Sequence, residues 1–98
     1  MSIGEDHALH SPPVSGVKPS EILVDIRDEE DFRQGHLPQA IHIPSYVLES
    51  ETPPLQRDLS YVLYCQKGLL SGLIAQALLQ RGYRVKSLKK GFINQVLK

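Results

Sequence analysis

Apolar residues in this chain gather in short runs separated by polar and turn-forming segments. Ile22-Leu23-Val24-Asp25-Ile26 is almost continuously apolar, the pattern of a strand buried on both faces of a parallel sheet. Asp28-Glu29-Glu30-Asp31-Phe32-Arg33 follows, with acids where a helix N-terminus favours them and Gly35 as the stop. Ala40-Ile41-His42-Ile43 predicts a second short strand closed by Pro44. Ser45 is then placed to cap a short helix through Leu48, and Thr52-Pro53-Pro54 makes residues 49–58 a loop. Tyr61-Val62-Leu63-Tyr64, β-branched and aromatic, predicts a third strand that stops at Cys65. Residues 66–70 form a tight connection. Residues 71–81 carry apolar side chains at 73, 74, 77 and 78, a helical spacing, with Gly82 closing the helix. Residues 83–88 predict a fourth strand, and Phe92, Ile93, Val96 and Leu97 mark a final amphipathic helix.

Strands and helices alternate with short connections, so the expected fold is α/β: a small parallel sheet of four to five strands flanked by helices. No internal repeat is visible. Residues 1–17 hold two prolines, two glycines and three serines without periodicity. They read as a flexible tail or linker ahead of a domain at 18–98, and a linker would make the domain one part of a larger protein.

At 98 residues the chain supports one small core. Eleven Lys and Arg balance eleven Asp and Glu. Without an excess positive field, nucleic acid is not expected as a partner of this domain alone. The longest apolar runs are far too short for a bilayer, so no membrane association is expected. No secretory signal pattern opens the chain, and a cytoplasmic location is expected. One cysteine cannot form an internal disulfide. His7 and His10 lie in the tail without two further ligands beside them, so no metal or other cofactor is predicted.

The single thiol sits where α/β sheets place ligands, at the carboxyl end of a strand. The loop Gln66-Lys67-Gly68-Leu69-Leu70 leads from Cys65 to Ser71. It is short enough to curl its amides inward, and Gly68 supplies the positive φ such a curl needs. Inward N–H groups ahead of a helix form an anion cradle and lower a thiol pKa from its ordinary ~8.5. Lys67 is the loop's one cationic side chain. The bland alternative is a buried cysteine acting as a small hydrophobe, and the spacing alone leaves both readings open.

Longer motifs carry a resemblance. Ile22 to Arg27, then Glu30-Asp31-Phe32, then Gly35-His36-Leu37-Pro38-Gln39-Ala40-Ile41-His42-Ile43-Pro44, resembles the first half of a rhodanese-like domain. Tyr61 to Cys65, Gly68 and Ser71, Gly82-Tyr83 and Lys90-Gly91-Phe92 resemble the second half, so the likeness spans about residues 19–97. It implies a sulfurtransferase or persulfide carrier, with sulfane sulfur held on Cys65 and passed to a thiophilic acceptor. The implied partners are a sulfur donor, either a cysteine desulfurase persulfide or thiosulfate, and a thiol or protein acceptor.

The loop departs from the family's usual Cys-x-x-Gly-x-Arg-Ser, because Leu70 stands at the Arg position. That Arg would hold the oxyanion of a donor such as thiosulfate, so thiosulfate is expected to serve poorly. The loop 65–71 is similar to that of the rhodanese-like domain of tRNA 4-thiouridine synthetases and thiazole-pathway proteins, which take sulfur from a cysteine desulfurase. The aromatic often found four residues after the last Gly is Gln95 here. Related phosphatases use an Arg at the position of Ser71, so phosphatase chemistry is not expected.

Supporting residues follow from the same resemblance. Asp25 lies near the site, and Arg27 pairs with the acid of the next helix, Glu30. The bland reading of these charges is a buried structural ion pair. His36, in the Gly-His-Leu-Pro turn, is expected to bond backbone rather than act as a base, and His42 to sit in the core or at an edge. Arg84, Lys86, Lys89 and Lys90 form a modest basic patch, read first as a solvated face. The competing function is a non-catalytic rhodanese-like interaction module in which Cys65 is incidental. A thiol redox sensor would need a resolving thiol, and the chain has none.

Overall fold

Four strands form the sheet: β1 (Ile22–Asp25), β2 (Ile41–His42), β3 (Ser60–Tyr64) and β4 (Arg84–Ser87). Four helices alternate with them: α1 (Glu29–Gln34), α2 (Ser45–Leu48), α3 (Leu69–Gln80) and α4 (Gly91–Val96). The computed structural model describes residues 16–96. The strand order is β2-β1-β3-β4 and every pairing is parallel. Register places Asp25 beside Tyr64 and Leu63 beside Ser87. The ends of β1, β3 and β4 therefore meet at one rim, where the loops turn into helices.

Alternation along the central strands splits the core in two. Val24, Tyr61, Leu63 and Val85 pack with Ile74, Ala75 and Leu78 of α3 on one face. Leu23, Val62 and Tyr64 pack with Leu37 and Leu88 on the other, where Val17 and Phe92 also lean against them. Val24, Val62 and Leu63 are fully buried. This is the two-faced burial that their unbroken apolar runs imply.

Several boundaries differ from the sequence reading. Ser45 does not cap α2. Its N–H donates to the Ile26 carbonyl at 3.0 Å, tying the chain to β1, and Pro44 takes the cap position without a side-chain bond. Asp28 lies outside α1 as its cap, accepting from the Asp31 N–H at 2.9 Å. Helix α3 begins at Leu69, two residues early, because Gly68 at φ 95° completes the turn by itself. Its buried face is Ser71, Ile74, Ala75 and Leu78, whereas Leu73 of the predicted stripe is exposed. The far end closes as expected around Gly82. Tyr83 N–H donates to Leu78 O at 3.1 Å and Gly82 N–H to Leu79 O at 3.0 Å. That closure takes Tyr83 out of β4. Leu97, His7, His10 and most of the proposed tail lie outside the described residues. Among the described residues, no helix is long and apolar enough to cross a membrane.

Candidate active site

Cys65 follows directly on β3, the strand flanked on both sides by parallel neighbours. Parallel pairing fixes the strand's end, and the left-handed turn at Gly68 folds the next residues back over the sulfur. The N–H of Gly68 lies 3.2 Å from Sγ and that of Ser71 lies 3.3 Å away. The thiol itself donates to Ser71 Oγ at 3.5 Å. Ser71 is fully buried and Cys65 nearly so, at 7% exposure.

These partners decide the thiol's charge state. Burial pushes the Cys65 pKa up, but the Ser71 hydroxyl and the amides of Ser71, Gly68 and Lys67 outweigh it, and the net shift is below the ordinary thiol value. The leading favourable contributions come from hydrogen-bond donors, the Ser71 hydroxyl and the loop amides. Lys67 thus acts through its backbone, while its side chain is exposed.

The loop is held from behind by α4. Phe92 N–H donates to the Cys65 carbonyl at 2.8 Å and Ile93 N–H to the Gln66 carbonyl at 3.1 Å. A Cβ on Gly68 would come within 2.8 Å of the Lys90 nitrogen. At φ 95° Gly68 is also in a conformation that L side chains rarely adopt. Two independent constraints therefore require glycine there.

Asp25 and Arg27 form a buried pair beside this loop. Arg27 Nη2 lies 2.8 Å from Asp25 Oδ2, and Arg27 Nε donates to both carboxylate oxygens at 3.1 Å. The expected pairing with Glu30 does not occur. Glu30 is exposed in the first turn of α1, and Asp25, two residues from Arg27, already takes the guanidinium in the core. Burial works against the Arg27 charge, but Asp25 more than compensates and holds the group protonated above its ordinary value. Arg27 Nη2 also donates to the Gly35 carbonyl at 2.6 Å, and Nη1 to Gln66 Oε1 at 3.0 Å. The guanidinium stacks on the Phe92 ring, 4.1 Å from its centroid. The Tyr64 hydroxyl donates to Asp25 Oδ2 at 2.7 Å and accepts from Leu37 N–H at 3.0 Å. Burial raises the Tyr64 phenol far above its usual value, so it is a fixed donor at all ordinary pH. Asp25 and Arg27 thus brace the loop through Gln66 and α4 without touching the sulfur.

His36 Nδ1 lies 3.0 Å from the Phe32 carbonyl and its ring stacks on Phe32, so it is spent on the turn. His42 lies on the edge strand, with Nε2 2.7 Å from the Arg27 carbonyl. Leu69 and Leu70, in the first turn of α3, are exposed at 78% and 44%. In the basic patch Lys86 pairs with Glu21 at 3.2 Å. Among the described residues no group of three or more His, Cys, Asp or Glu could hold a metal ion. Sequence reading missed Ser87, whose hydroxyl lies 2.6 Å from that of Ser71. A polar residue at the inner end of a strand that pairs with the cysteine's own strand was the available signal.

The amides of Gly68 and Ser71 thus face the Cys65 sulfur, and known proteins share the fold that places them. A family model described as the rhodanese-like domain matches residues 11–94. The chain belongs to the rhodanese-like domain family. This rhodanese-like domain is similar to a tRNA sulfurtransferase of Pyrobaculum aerophilum, 32% identical over 81 residues, which cover 83% of this chain but only 17% of that protein. It is 34% identical over 73 residues to a sulfurtransferase of Allochromatium vinosum, covering 74% of this chain and 68% of the relative. The crystal structure of a rhodanese-related protein from Thermoplasma volcanium shares the fold, with TM-score 0.73 at 23% identity over 80% of this chain and 78% of that one. The chain thus matches one part of the first relative and about two thirds of the second. Relatives that are named sulfurtransferases support a sulfurtransferase or rhodanese-like role for this domain.

Proposed function

We infer that the domain is a sulfurtransferase that carries sulfane sulfur as a persulfide on Cys65. The observation that carries this reading is the pair of N–H groups, from Gly68 and Ser71, aimed at Sγ from 3.2 and 3.3 Å. Such donors stabilise an anion in place without a cation to compete for it.

The chemistry is two displacements at sulfur. The Cys65 thiolate attacks the outer sulfur of a donor persulfide. The donor S–S bond breaks, the donor leaves as its thiolate, and a new S–S bond forms on Cys65. The acceptor nucleophile then attacks the outer sulfur and Cys65 departs as a thiolate. Both steps begin or end with negative charge on the Cys65 sulfur or the one beyond it, which is the charge the amides favour. No net oxidation occurs and no cofactor is invoked.

A protein persulfide, such as that of a cysteine desulfurase, is the preferred donor. Thiosulfate is a poor one, because Leu70 offers no charge-assisted contact to a sulfonate. A second reading is favoured by one observation: Leu69, Leu70 and Leu73 are exposed next to the loop, as a protein-interaction module would display them. Cys65→Ser separates the two. A sulfurtransferase loses transfer from every donor with its fold unchanged, whereas more than trace transfer by the mutant would defeat the persulfide mechanism.

A further inference from the structure

Ser87 closes a chain of hydroxyls that ends on the sulfur. Its Oγ lies 2.6 Å from Ser71 Oγ, a distance at which one of the two must donate to the other. Ser71 has a single hydroxyl proton and three claims on it. The Gly68 carbonyl, at 3.4 Å, can only accept. Cys65 Sγ, at 3.5 Å, and Ser87 Oγ can each donate or accept.

Proton counting gives two arrangements. With a neutral thiol, Cys65 donates to Ser71, and the Ser71 proton goes to Ser87 or, where Ser87 donates instead, to the Gly68 carbonyl. With an anionic sulfur, Cys65 has no proton to give, so its bond to Ser71 survives only if Ser71 donates to the sulfur rather than to the Gly68 carbonyl. The short Ser71–Ser87 bond then survives only if Ser87 donates to Ser71. Ser87 sits at the end of β4, held there by its register with Leu63. Among the described residues its side chain bonds Ser71 alone, so its hydroxyl proton has no competing acceptor there.

We propose that Ser87 is a positioning residue for the reacting sulfur: its hydroxyl takes over as donor to Ser71 and so turns the Ser71 proton onto Cys65 whenever the sulfur is negatively charged. A chain of two aligned hydroxyls polarises the inner one and strengthens its bond to the anion. This deepens the persulfide reading, because both the thiolate and the persulfide are the charged states it serves. It is nevertheless tested on the free thiol, without any sulfur donor.

The charged groups on the elements around the sulfur are Lys67 in the loop, Arg84 and Lys86 on β4, Lys89 and Lys90 after it, and the Asp25–Arg27 pair, which reaches the loop through Gln66. None makes a side-chain hydrogen bond to Sγ, and none is altered by substitution at Ser87. The experiment is a pH titration of the Cys65 thiolate, by its ultraviolet absorbance and by alkylation rate. It uses the wild type, Ser87→Ala, and the similarly shaped pair Ser87→Thr and Ser87→Val.

The expected result is a midpoint raised by about half to one pH unit in Ser87→Ala and Ser87→Val, with three- to ten-fold less thiolate below the midpoint. Ser87→Thr, which keeps the hydroxyl, stays with the wild type. In a Ser71→Ala background, adding Ser87→Ala shifts nothing further, because the effect passes through Ser71. Equal midpoints for Thr and Val at position 87 would overturn the proposal. So would an undiminished Ser87 effect without the Ser71 hydroxyl. Failure of Cys65 to take up sulfur would count against the persulfide reading and leave this titration unaffected.

Discussion

The α-carbon of Gly91 faces the carbonyl oxygen of Cys65 with no space for a side chain between them. A Cβ there would fall onto that oxygen and within 2.8 Å of the Gln66 carbonyl carbon and oxygen. The close approach is what lets Phe92 and Ile93 donate their N–H groups to the loop from behind. The front of the loop is then free to aim its own amides at the sulfur.

Gly91→Ala is therefore expected to displace backbone rather than a side chain, costing about 2 kcal/mol or more. For a domain of this size that is a fall in Tm of roughly 8–16 °C. Thermal unfolding checks it, and a variant that melts with the wild type would show that α4 does not brace the loop.

The depressed Cys65 pKa has a direct kinetic consequence. Above the lowered pKa the thiol is ionised and alkylation is fast, and the rate falls as pH drops through that value. The midpoint should lie below that of a free cysteine, because hydrogen-bond donors hold the sulfur's charge. Stability carries the same sign. The folded thiol ionises at lower pH than the unfolded one, so its contribution is fully present above the unfolded pKa and lost as pH falls through the folded one. An alkylation midpoint at the value of a free cysteine would contradict the amide geometry.

Much of this site is legible in the linear chain, for particular physical reasons. Cys65, Gly68 and Ser71 are close in sequence, so the strand end, the positive-φ turn and the returning amides follow from local rules. The apolar runs of β1 and β3 likewise announce a sheet covered on both faces. Contacts set by tertiary geometry are not local. Ser87 reaches Ser71 only because β4 pairs with β3 in one register, and Arg27 reaches Gln66, 39 residues on, only because β1 pairs with β3. The start of α3 was misplaced because Leu69 and Leu70 read as loop, although Gly68 had already completed the turn.

Arg27→Met tests the brace at the side of the loop. It leaves the Asp25 carboxylate fully buried without its cation, an arrangement that costs about 3–5 kcal/mol. Adding Asp25→Asn should recover part of that loss by removing the orphaned charge. Denaturant unfolding of both variants measures it. A loss below about 1 kcal/mol for Arg27→Met would mean that the pair is dispensable.

Leu70 is expected to set the donor preference. An Arg at this position offers a sulfonate a charge-assisted contact of about 1.5–3 kcal/mol, so Leu70→Arg should raise thiosulfate:cyanide turnover roughly ten- to a hundred-fold. Sulfur acceptance from a cysteine desulfurase persulfide should change little, since that donor has no sulfonate. Strong wild-type turnover of thiosulfate, unmoved by the substitution, would show that another group binds the sulfonate.

The central claim is that Cys65 itself holds the transferred sulfur. Mass spectrometry of the intact protein, after incubation with a persulfide donor and removal of excess reagent, tests it most directly. The account predicts a gain of about 32 Da that maps to Cys65, is lost on adding a thiol acceptor and is absent in Cys65→Ser. A wild-type protein that gains no mass, or a Cys65→Ser variant that gains as much, would contradict it.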